Sequence, residues 1–440
     1  MKGIKIGLLG CGTVGTGVAK LLLTNQAEIR ARLGADLILK YVADVDHDTD
    51  RGIVFEKGVF VRDAAQVVND PEIDIIIEMI GGQDVAKDMI LQALKNGKAV
   101  VTANKALLAE QGHILFKAAI ESKMDLAFEA SVGGCMPVIK TVRESLAGNR
   151  ISAMTGILNG TCNYILSKIT DDGSSFETAL SEAQAKGFAE ADPTLDVEGH
   201  DAAHKLAILT ALAFGTQIDF KDVYVEGISK ITPLDIQFAR QFGYRVKLLA
   251  ISKCDGKTIE ARVHPTMIPE DNLLSNVNGS LNAVTITGDA VGDMLLYGYG
   301  AGMMPTASAV LSDTIDIARN LLSDSCGRVP LAAFQADQIV QIPVAPISAI
   351  TTHFYLRFAA LDRPGVLSAI AGVLGDHGIS IQSVHQKGRK VNGSVPIVIL
   401  THLAGEADVQ KALAEIAALE AISGQPTLIR IEDKNSDVSH

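Results

Sequence analysis

Several stretches of this chain carry residue types at spacings that can do chemistry. Gly10-Cys11-Gly12-Thr13-Val14-Gly15 has the pattern G-x-G-x-x-G, between the apolar run Ile4–Leu9 and a helical pattern over 14–23. In that context the first two glycines permit a tight turn and close backbone approach to a pyrophosphate. The third lets the helix pack on the strand, and the helix N-terminus favours the anion. Gly10, Gly12, Thr13, Val14 and Gly15 are thus candidate dinucleotide contacts; the alternative is a purely structural glycine turn. A second strand ends in Ala43-Asp44-Val45-Asp46. Asp44 there either accepts ribose hydroxyls and repels a 2′-phosphate, or closes an ordinary acidic turn. Arg51 and Lys57 follow and could pair with a phosphate.

The stretch 187–199 holds four carboxylates, Glu190, Asp192, Asp196 and Glu198, and Asp201 and Lys205 follow it. Four residues apart, Asp201 and Lys205 share a helix face. They form either a surface ion pair worth a few tenths of a kcal/mol, or part of a cleft. The cleft reading rests on 206–214, almost wholly apolar, which buries the helix beyond its first turns. Carboxylates there would hold an ammonium group, and Lys205 would supply a proton. Lys105, in Thr102-Ala103-Asn104-Lys105, follows a strand, where doubly wound sheets bind ligands. It is either a substrate contact or a solvated loop lysine. Cys135 lacks a nearby histidine in sequence and is expected to be a buried, inert thiol. Tyr297-Gly298-Tyr299-Gly300-Ala301-Gly302 either lets backbone approach a ligand or makes a tight turn.

The elements that must position these residues alternate. Strand patterns at Ile4–Leu9, Leu37–Ala43, 73–79, Ala99–Thr102 and 126–128 are interleaved with helical patterns at 14–23, 84–96 and 114–121. Largely apolar strands separated by helices predict a parallel sheet covered on both faces, a Rossmann-type doubly wound domain over 1–130. From 131 to 328 the rhythm changes. Helices at 136–146 and 201–214, with strands at 151–158, 245–252, 259–263 and 282–288, predict an α+β domain. Its last helix is expected to pack back on the first domain. Residues 329–350, rich in Pro, Ala and Gln, read as a linker. A compact strand–helix–strand–strand–helix–strand order over 353–361, 364–377, 379–386, 395–403, 407–419 and Thr427–Ile431 predicts a ferredoxin-like module at 351–433.

Composition narrows the function. The 440 residues are 48% hydrophobic and 20% charged, enough to bury several cores. A net charge of −12 argues against nucleic acid or an anionic membrane surface as partner. Five scattered cysteines have neither zinc-ligand spacing nor a disulfide pattern. Met1-Lys2-Gly3-Ile4 runs almost directly into a strand without signal-peptide architecture, and no apolar stretch is long enough for a bilayer. The expectation is a cytoplasmic protein with reduced thiols.

Taken in order over 4–322, these stretches resemble the homoserine dehydrogenase family. The resemblance is carried by the glycine motif, Thr102-Ala103-Asn104-Lys105-Ala106-Leu107, Glu129-Ala130-Ser131-Val132-Gly133-Gly134, Gly156-Ile157-Leu158-Asn159-Gly160-Thr161 and above all 187–205. It implies NAD(P)H-dependent interconversion of L-homoserine and L-aspartate 4-semialdehyde, in threonine, methionine and isoleucine biosynthesis. Lys205 would be the proton donor, with Asp201 orienting it or binding substrate. Glu190, Asp201, Asp196 and Lys105 would contact substrate. Asp44, Thr102, Lys105, Gly187 and Gly302 would border the cofactor. Backbone oxygens of Glu129, Val132, Gly134 and Met136 would hold a monovalent cation, Na+. The family works as an oligomer, usually dimeric through the substrate domain, which implies that 131–328 is a substrate-binding and dimerisation domain and that this chain is a homodimer or homotetramer. Many relatives carry Arg near Ala43; this chain departs from them, so NAD is expected to serve at least as well as NADP.

The tail, with Leu361-Asp362-Arg363-Pro364-Gly365-Val366-Leu367, resembles an ACT domain. That implies amino-acid sensing, with threonine as effector by pathway logic. Backbone N–H groups of the Asp362, Arg363, Pro364 and Gly365 turn would meet its carboxylate. A module that only dimerises is the alternative. Two rival functions stand beside the main one: an aspartate-semialdehyde dehydrogenase using the Cys135 thiol, and a non-catalytic nucleotide- and amino-acid-sensing protein.

Overall fold

The computed structural model describes residues 3–386 and 394–433, so Met1 and Lys2 of the N-terminal reading lie outside it. The chain forms two compact units. The first holds the residues up to Gly160, with Asp201–Lys221 and Leu281–Ile342. The second holds Thr161–His200, Asp222–Ser280 and the chain from Pro343.

The first unit is built on a parallel sheet of β1 (Ile4–Leu9), β2 (Leu37–Ala43), β3 (Phe60–Val61), β4 (Ile75–Glu78), β5 (Ala99–Thr102) and β6 (Leu126–Ala127). Its order is β3-β2-β1-β4-β5-β6, the doubly wound arrangement of dinucleotide-binding domains. The apolar runs are buried on both faces, and Ile75, Ile76, Ile77, Val100 and Val101 are fully inaccessible. The Thr13–Thr24 helix shares a core with the late helix Met303–Leu322, through Val18, Ala307, Val310 and Ala318. Gly17 permits that approach: a Cβ there would sit 2.9 Å from the Met303 carbonyl oxygen.

Two helical expectations change. The helix read at 114–121 spans Lys105–Ser122, started by Asn104, whose side chain accepts from the Leu107 N–H. The helix read at 136–146 is only Val138–Lys140 followed by a π turn over Thr141–Ser145, after Pro137. The first unit also contains Ile151–Ile157 paired with Leu281–Gly288, which pairs in turn with Gly292–Tyr299. Tyr297, Gly298 and Tyr299 belong to this last strand, so a tight turn is not formed there; the strand has no buried residue and so no apolar run to mark it.

In the second unit, helices Phe176–Ala185 and Pro233–Gln241 and nearly all of Gly160–Asp172 were also unread. The strand read as 259–263 runs through Pro265 to Pro269, paired with Tyr244–Cys254 along its whole length. Its other edge takes Thr427–Ile431 in parallel, Thr266 opposite Arg430. Thr427–Ile431 is the last strand of the C-terminal module, whose order Thr351–Leu361, Val366–Asp376, Ile381–Gln386, Ser394–Thr401, Glu406–Ala417, Thr427–Ile431 is βαββαβ, with a two-residue strand Ala404–Gly405 added. Its core is Phe354, Leu356, Phe358, Ile370, Leu374, Ile397, Val409 and Ile416. The module is therefore joined to its neighbour through a shared sheet. The proline-rich stretch before it is also tied down. Ile259 donates to the Pro343 carbonyl and accepts from the Ala345 N–H, at 3.0 and 2.8 Å.

Candidate active site

Asp201 and Lys205 lie one turn apart on the helix His200–Phe214 and are only 7% and 8% exposed. Lys205 Nζ donates to Asp201 Oδ2 at 2.6 Å and to the Leu158 carbonyl at 2.7 Å. Asn159 Nδ2 donates to the same carboxylate oxygen at 2.9 Å, and Lys105 Nζ stands 3.1 Å from Asp201 Oδ1. The surface ion-pair reading therefore falls. Leu158 and Asn159 follow the strand Ile151–Ile157, and Lys105 starts the helix after β5, so three elements converge on one carboxylate. Burial alone would raise the Asp201 pKa. The charges of Lys205 and Lys105, with hydrogen bonds from Lys205 and Asn159, outweigh it and hold the group well below the usual carboxylate range. The side chain of Lys105 is 42% exposed, so the cluster is open on that side.

Asn159 and His204 both lie in the stretches that carry the family resemblance, but nothing in their spacing marks a role; His204 stacks on Phe220 at 4.1 Å with its Nε2 3.3 Å from Glu110 Oε1. The contact is an ion pair only when His204 is protonated. Burial lowers the His204 pKa against the pull of Glu110.

The glycine turn divides its labour. Gly10 has φ +89°, and a Cβ there would meet the Met79 carbonyl at 2.4 Å; at Gly15 it would meet the Gly10 carbonyl at 2.1 Å. At Gly12 a Cβ would meet nothing within 4 Å. Two glycines thus serve the protein's own packing, and Gly12 leaves room over the start of the helix that Thr13 and Val14 begin. Asp44 Oδ2 accepts the Cys11 N–H at 2.5 Å. Arg51, overlooked as a structural residue, bonds the Cys11 carbonyl at 2.7 Å and the Asp46 carbonyl at 2.6 Å, with Asp44 Oδ2 3.7 Å away. Thr102 is fully buried and donates to Glu78 Oε2 at 2.7 Å; Glu78 also accepts from the Ile80 N–H at 2.7 Å. The Thr102 side chain is thus committed to joining the ends of β4 and β5.

Gly302, with φ +116°, precedes the helix whose first turn packs on Gly17. Gly187 (φ +72°), Glu190 and Asp196 belong to the second unit. There Glu190 is exposed, its carbonyl accepts from Gln184 Nε2 at 3.0 Å, and the Asp196 carbonyl accepts from Cys162 Sγ at 3.1 Å.

Around the expected cation ligands, Gly133 and Gly134 both have positive φ. The Glu129 and Met136 carbonyls accept from Val132 N and Val138 N at 3.4 and 2.8 Å. The Glu129 carboxylate points elsewhere, accepting from Ile139 N and Lys140 N at 2.8 Å each. Burial first, then the charge of Asp313, raises its pKa to about 7. Cys135 is exposed rather than buried, because the turn over Gly133 and Gly134 presents it outward. In the C-terminal turn, Asp362, Arg363, Pro364 and Gly365 are exposed. The helix starts only at Val366, with Gly365 as its left-handed cap at φ +89°, so Pro364 lies before the first helical turn rather than in it.

Models of the homoserine dehydrogenase NAD-binding domain, of homoserine dehydrogenase and of the ACT domain match residues 10–129, 137–315 and 354–421. A homoserine dehydrogenase of Neisseria gonorrhoeae is 47% identical over 432 residues, covering 98% of this chain and 99% of that protein. The chain belongs to the homoserine dehydrogenase family. It is an oxidoreductase with a Rossmann-type NAD-binding domain, a central sheet domain and a C-terminal ACT domain. The structure of the family member from Thiobacillus denitrificans matches with a TM-score of 0.92 at 47% identity, covering 98% of this chain and 99% of that one. A hyperthermophilic archaeal member, solved in complex with NADPH, matches with a TM-score of 0.62 at 26% identity. It covers 72% of this chain and 98% of that one. Among the described residues no helix is long and apolar enough to cross a membrane.

Proposed function

We propose that the chain interconverts L-homoserine and L-aspartate 4-semialdehyde at the cluster of Lys205, Asp201, Lys105 and Asn159. The observation that carries this reading is the buried lysine held 2.6 Å from a carboxylate at the carboxyl ends of strands. A bound nicotinamide supplies the hydride acceptor for alcohol oxidation and the donor for the reverse reaction. In reduction the Lys205 ammonium gives a proton to the developing alkoxide, directly or through water, and becomes the neutral amine; in oxidation the neutral amine takes the hydroxyl proton. Asp201 keeps that ammonium in place, and its depressed pKa keeps it an acceptor throughout the working pH range. Lys105 contacts substrate and cofactor from the open side, and Glu190 and Asp196 hold the substrate ammonium. Gly12, open above the helix start, with Gly10, Thr13, Val14 and Gly15, fits a pyrophosphate, and Gly187 and Gly302 border the cofactor. The deciding experiment is a nicotinamide absorbance assay with homoserine, using NAD and NADP in parallel. No turnover with either would overturn the reading.

NAD serves at least as well as NADP in this proposal. Support comes from Asp44 and Asp46, which follow β2, where an acid disfavours a 2′-phosphate, and from the Arg51 guanidinium, already bonded to the Cys11 and Asp46 carbonyls. Steady-state kinetics favouring NADP by orders of magnitude would instead assign the phosphate to Arg51 or Lys57. A monovalent cation on the Glu129, Val132, Gly134 and Met136 carbonyls fits the hard oxygen donors of a glycine turn, where the accepting carbonyls keep a second lone pair. Loss of activity on replacing Na+ by a bulky organic cation would support it.

The domains are read as 1–130, 131–328 and 351–433, joined by 329–350. We further propose a cytoplasmic homodimer or homotetramer in threonine, methionine and isoleucine biosynthesis, inhibited by threonine. Five scattered cysteines with neither zinc-ligand nor disulfide spacing fit the cytoplasm. The exposed Tyr297 and Tyr299 on the strand Gly292–Tyr299 offer a self-association face. Light scattering reads the oligomer, and threonine titration reads the inhibition.

A further inference from the structure

A buried amide of the first unit stands without a partner. Asn282, on the strand Leu281–Gly288, is 1% exposed, and neither its Oδ1 nor its Nδ2 has a hydrogen-bond partner among the described residues. Burying a polar group unpaired is costly, and an apolar residue of the same size would avoid the cost. The residue type therefore calls for a partner that these residues do not supply in their present arrangement. We propose that Asn282 is a positioning residue for the nicotinamide end of the dinucleotide: when the cofactor binds, the bend at 300–302 closes onto the Asn282 amide, which then donates to and accepts from the backbone of that bend. The proposal rests on the reading that Gly302 borders the cofactor.

Strand neighbours on both edges place the amide beside the reacting groups. The ladder between Leu281–Gly288 and Ile151–Ile157 ends at the Ala283–Ile157 pair. Asn282 is the next residue, level with Leu158, whose carbonyl accepts from Lys205 Nζ at 2.7 Å. On the other edge Asn282 stands opposite Gly298, so Gly300 is its diagonal neighbour on the same face. A Cβ on Gly300 would fall within 2.5 Å of Nδ2, Cγ and Oδ1 of the amide alike. Only glycine at 300 admits the amide there, so the bend and the amide lie in direct contact.

The bend is built to move locally. Strand pairing stops at Tyr299, opposite Leu281, and the helix Met303–Leu322 begins only after Gly302. Ala301 and Gly302 are exposed, and Gly302 has φ +116°. Both ends are pinned. Before the bend, Cys135 N donates to the Tyr299 carbonyl at 3.1 Å, and a Cβ on Gly134 would sit 2.5 Å from the same oxygen. After it, the Met303 carbonyl lies against Gly17, in the helix that the glycine turn begins. A short segment fixed at its ends and open between them can close on a ligand without moving its supports. Closure gives the amide the hydrogen bonds it lacks, which adds to cofactor affinity. It also holds the nicotinamide against the substrate carbon whose oxygen Lys205 serves.

The test uses the full chain, titrated with NADH and with NADPH by nicotinamide fluorescence, and melted with and without them. Asn282→Leu keeps the size and removes the unpaired amide, so the free protein should melt at or above the parent. Its affinity for the better-bound reduced cofactor should fall ~10-fold or more, with a smaller cofactor-induced rise in melting temperature. ADP-ribose, which lacks the nicotinamide, should bind parent and variant alike in calorimetry. Asn282→Ala gives the same binding readout if leucine packs poorly. Reduced-cofactor affinity unchanged in both variants overturns the proposal, and so does an equal loss for ADP-ribose. Asn282→Leu melting well below the parent while Asn282→Ala keeps its affinity would assign the amide to a buried water instead. A parent that binds neither reduced cofactor would refute the cofactor reading and this inference with it. A parent that binds, with variants that match it, refutes the inference alone.

Discussion

Lys205 is the residue on which the chemistry turns. Its ammonium has two acceptors, Asp201 Oδ2 and the Leu158 carbonyl, and both lie in the same unit as Lys105. Lys205→Ala is therefore expected to lower kcat by ~10²–10⁴-fold, the usual contribution of general acid–base catalysis, with cofactor affinity retained. A fully active variant would remove Lys205 from the mechanism. Glu190→Ala should instead raise the homoserine KM with little effect on kcat, since an ammonium partner serves ground and transition state alike; an unchanged KM counts against it. Glu129 offers a different readout. Its carboxyl has a pKa of about 7 against an ordinary 4.5, so the folded state binds its proton more tightly. That contribution is fully present below about 4.5 and is lost as pH rises through about 7. Between pH 5 and 8, Glu129→Gln should remove one falling component from the plot of melting temperature against pH. Parallel plots for the two proteins would show that Glu129 titrates normally.

At the scale of elements, the glycine turn separates packing from binding. Gly15→Ala places a methyl 2.1 Å from the Gly10 carbonyl and should destabilise the first unit, whereas Gly12→Ala meets nothing in the protein. Gly12→Ala is accordingly expected to melt like the parent but to bind dinucleotide at least ~10-fold more weakly, measured by nicotinamide fluorescence titration. Equal affinity would mean that the pyrophosphate does not approach Gly12. The turn, both strands around it and the catalytic helix were legible because each depends on local pattern: apolar runs, a G-x-G-x-x-G, a Lys four residues after an Asp. Elements whose support is distant were not. Pro265 ended a strand on paper, yet in the sheet it sits opposite Leu248 within a continuous antiparallel pair. Gly292–Tyr299 has too many glycines and too much exposed surface to stand out as a strand. The role of Asn159 appears only when the end of its strand meets Asp201, 42 residues on. The lack of a nearby histidine says nothing about exposure: Gly133 and Gly134, both at positive φ, make a turn after which Cys135 is exposed rather than buried.

Across the whole molecule, the ACT domain is bound into its unit by buried charge, which a linker reading of 329–350 did not anticipate. Asp235, fully buried, accepts from Arg357 Nε at 2.6 Å and from the Tyr355 hydroxyl at 3.0 Å. Arg262 reaches Glu432 at 2.5 Å, and Arg430 reaches Glu406 and Glu226. Cutting the chain near Ile350 would strip Asp235 and Arg262 of these partners and open the edge of Ile259–Pro269. The archaeal relative matches only 72% of this chain, so family members of that shorter extent exist, but these residues are set for a chain that keeps the domain. Point variants test this without truncation. Arg430→Met leaves the Glu406 carboxylate buried and unpaired, and breaking such a pair costs about 3–5 kcal/mol. Arg430→Met should therefore lower the melting temperature clearly. Adding Glu406→Gln should recover much of the loss, because the double variant no longer buries a lone charge. If Arg430→Met melts with the parent, the pair is not holding the ACT domain, and the shared strand pairing alone must do so.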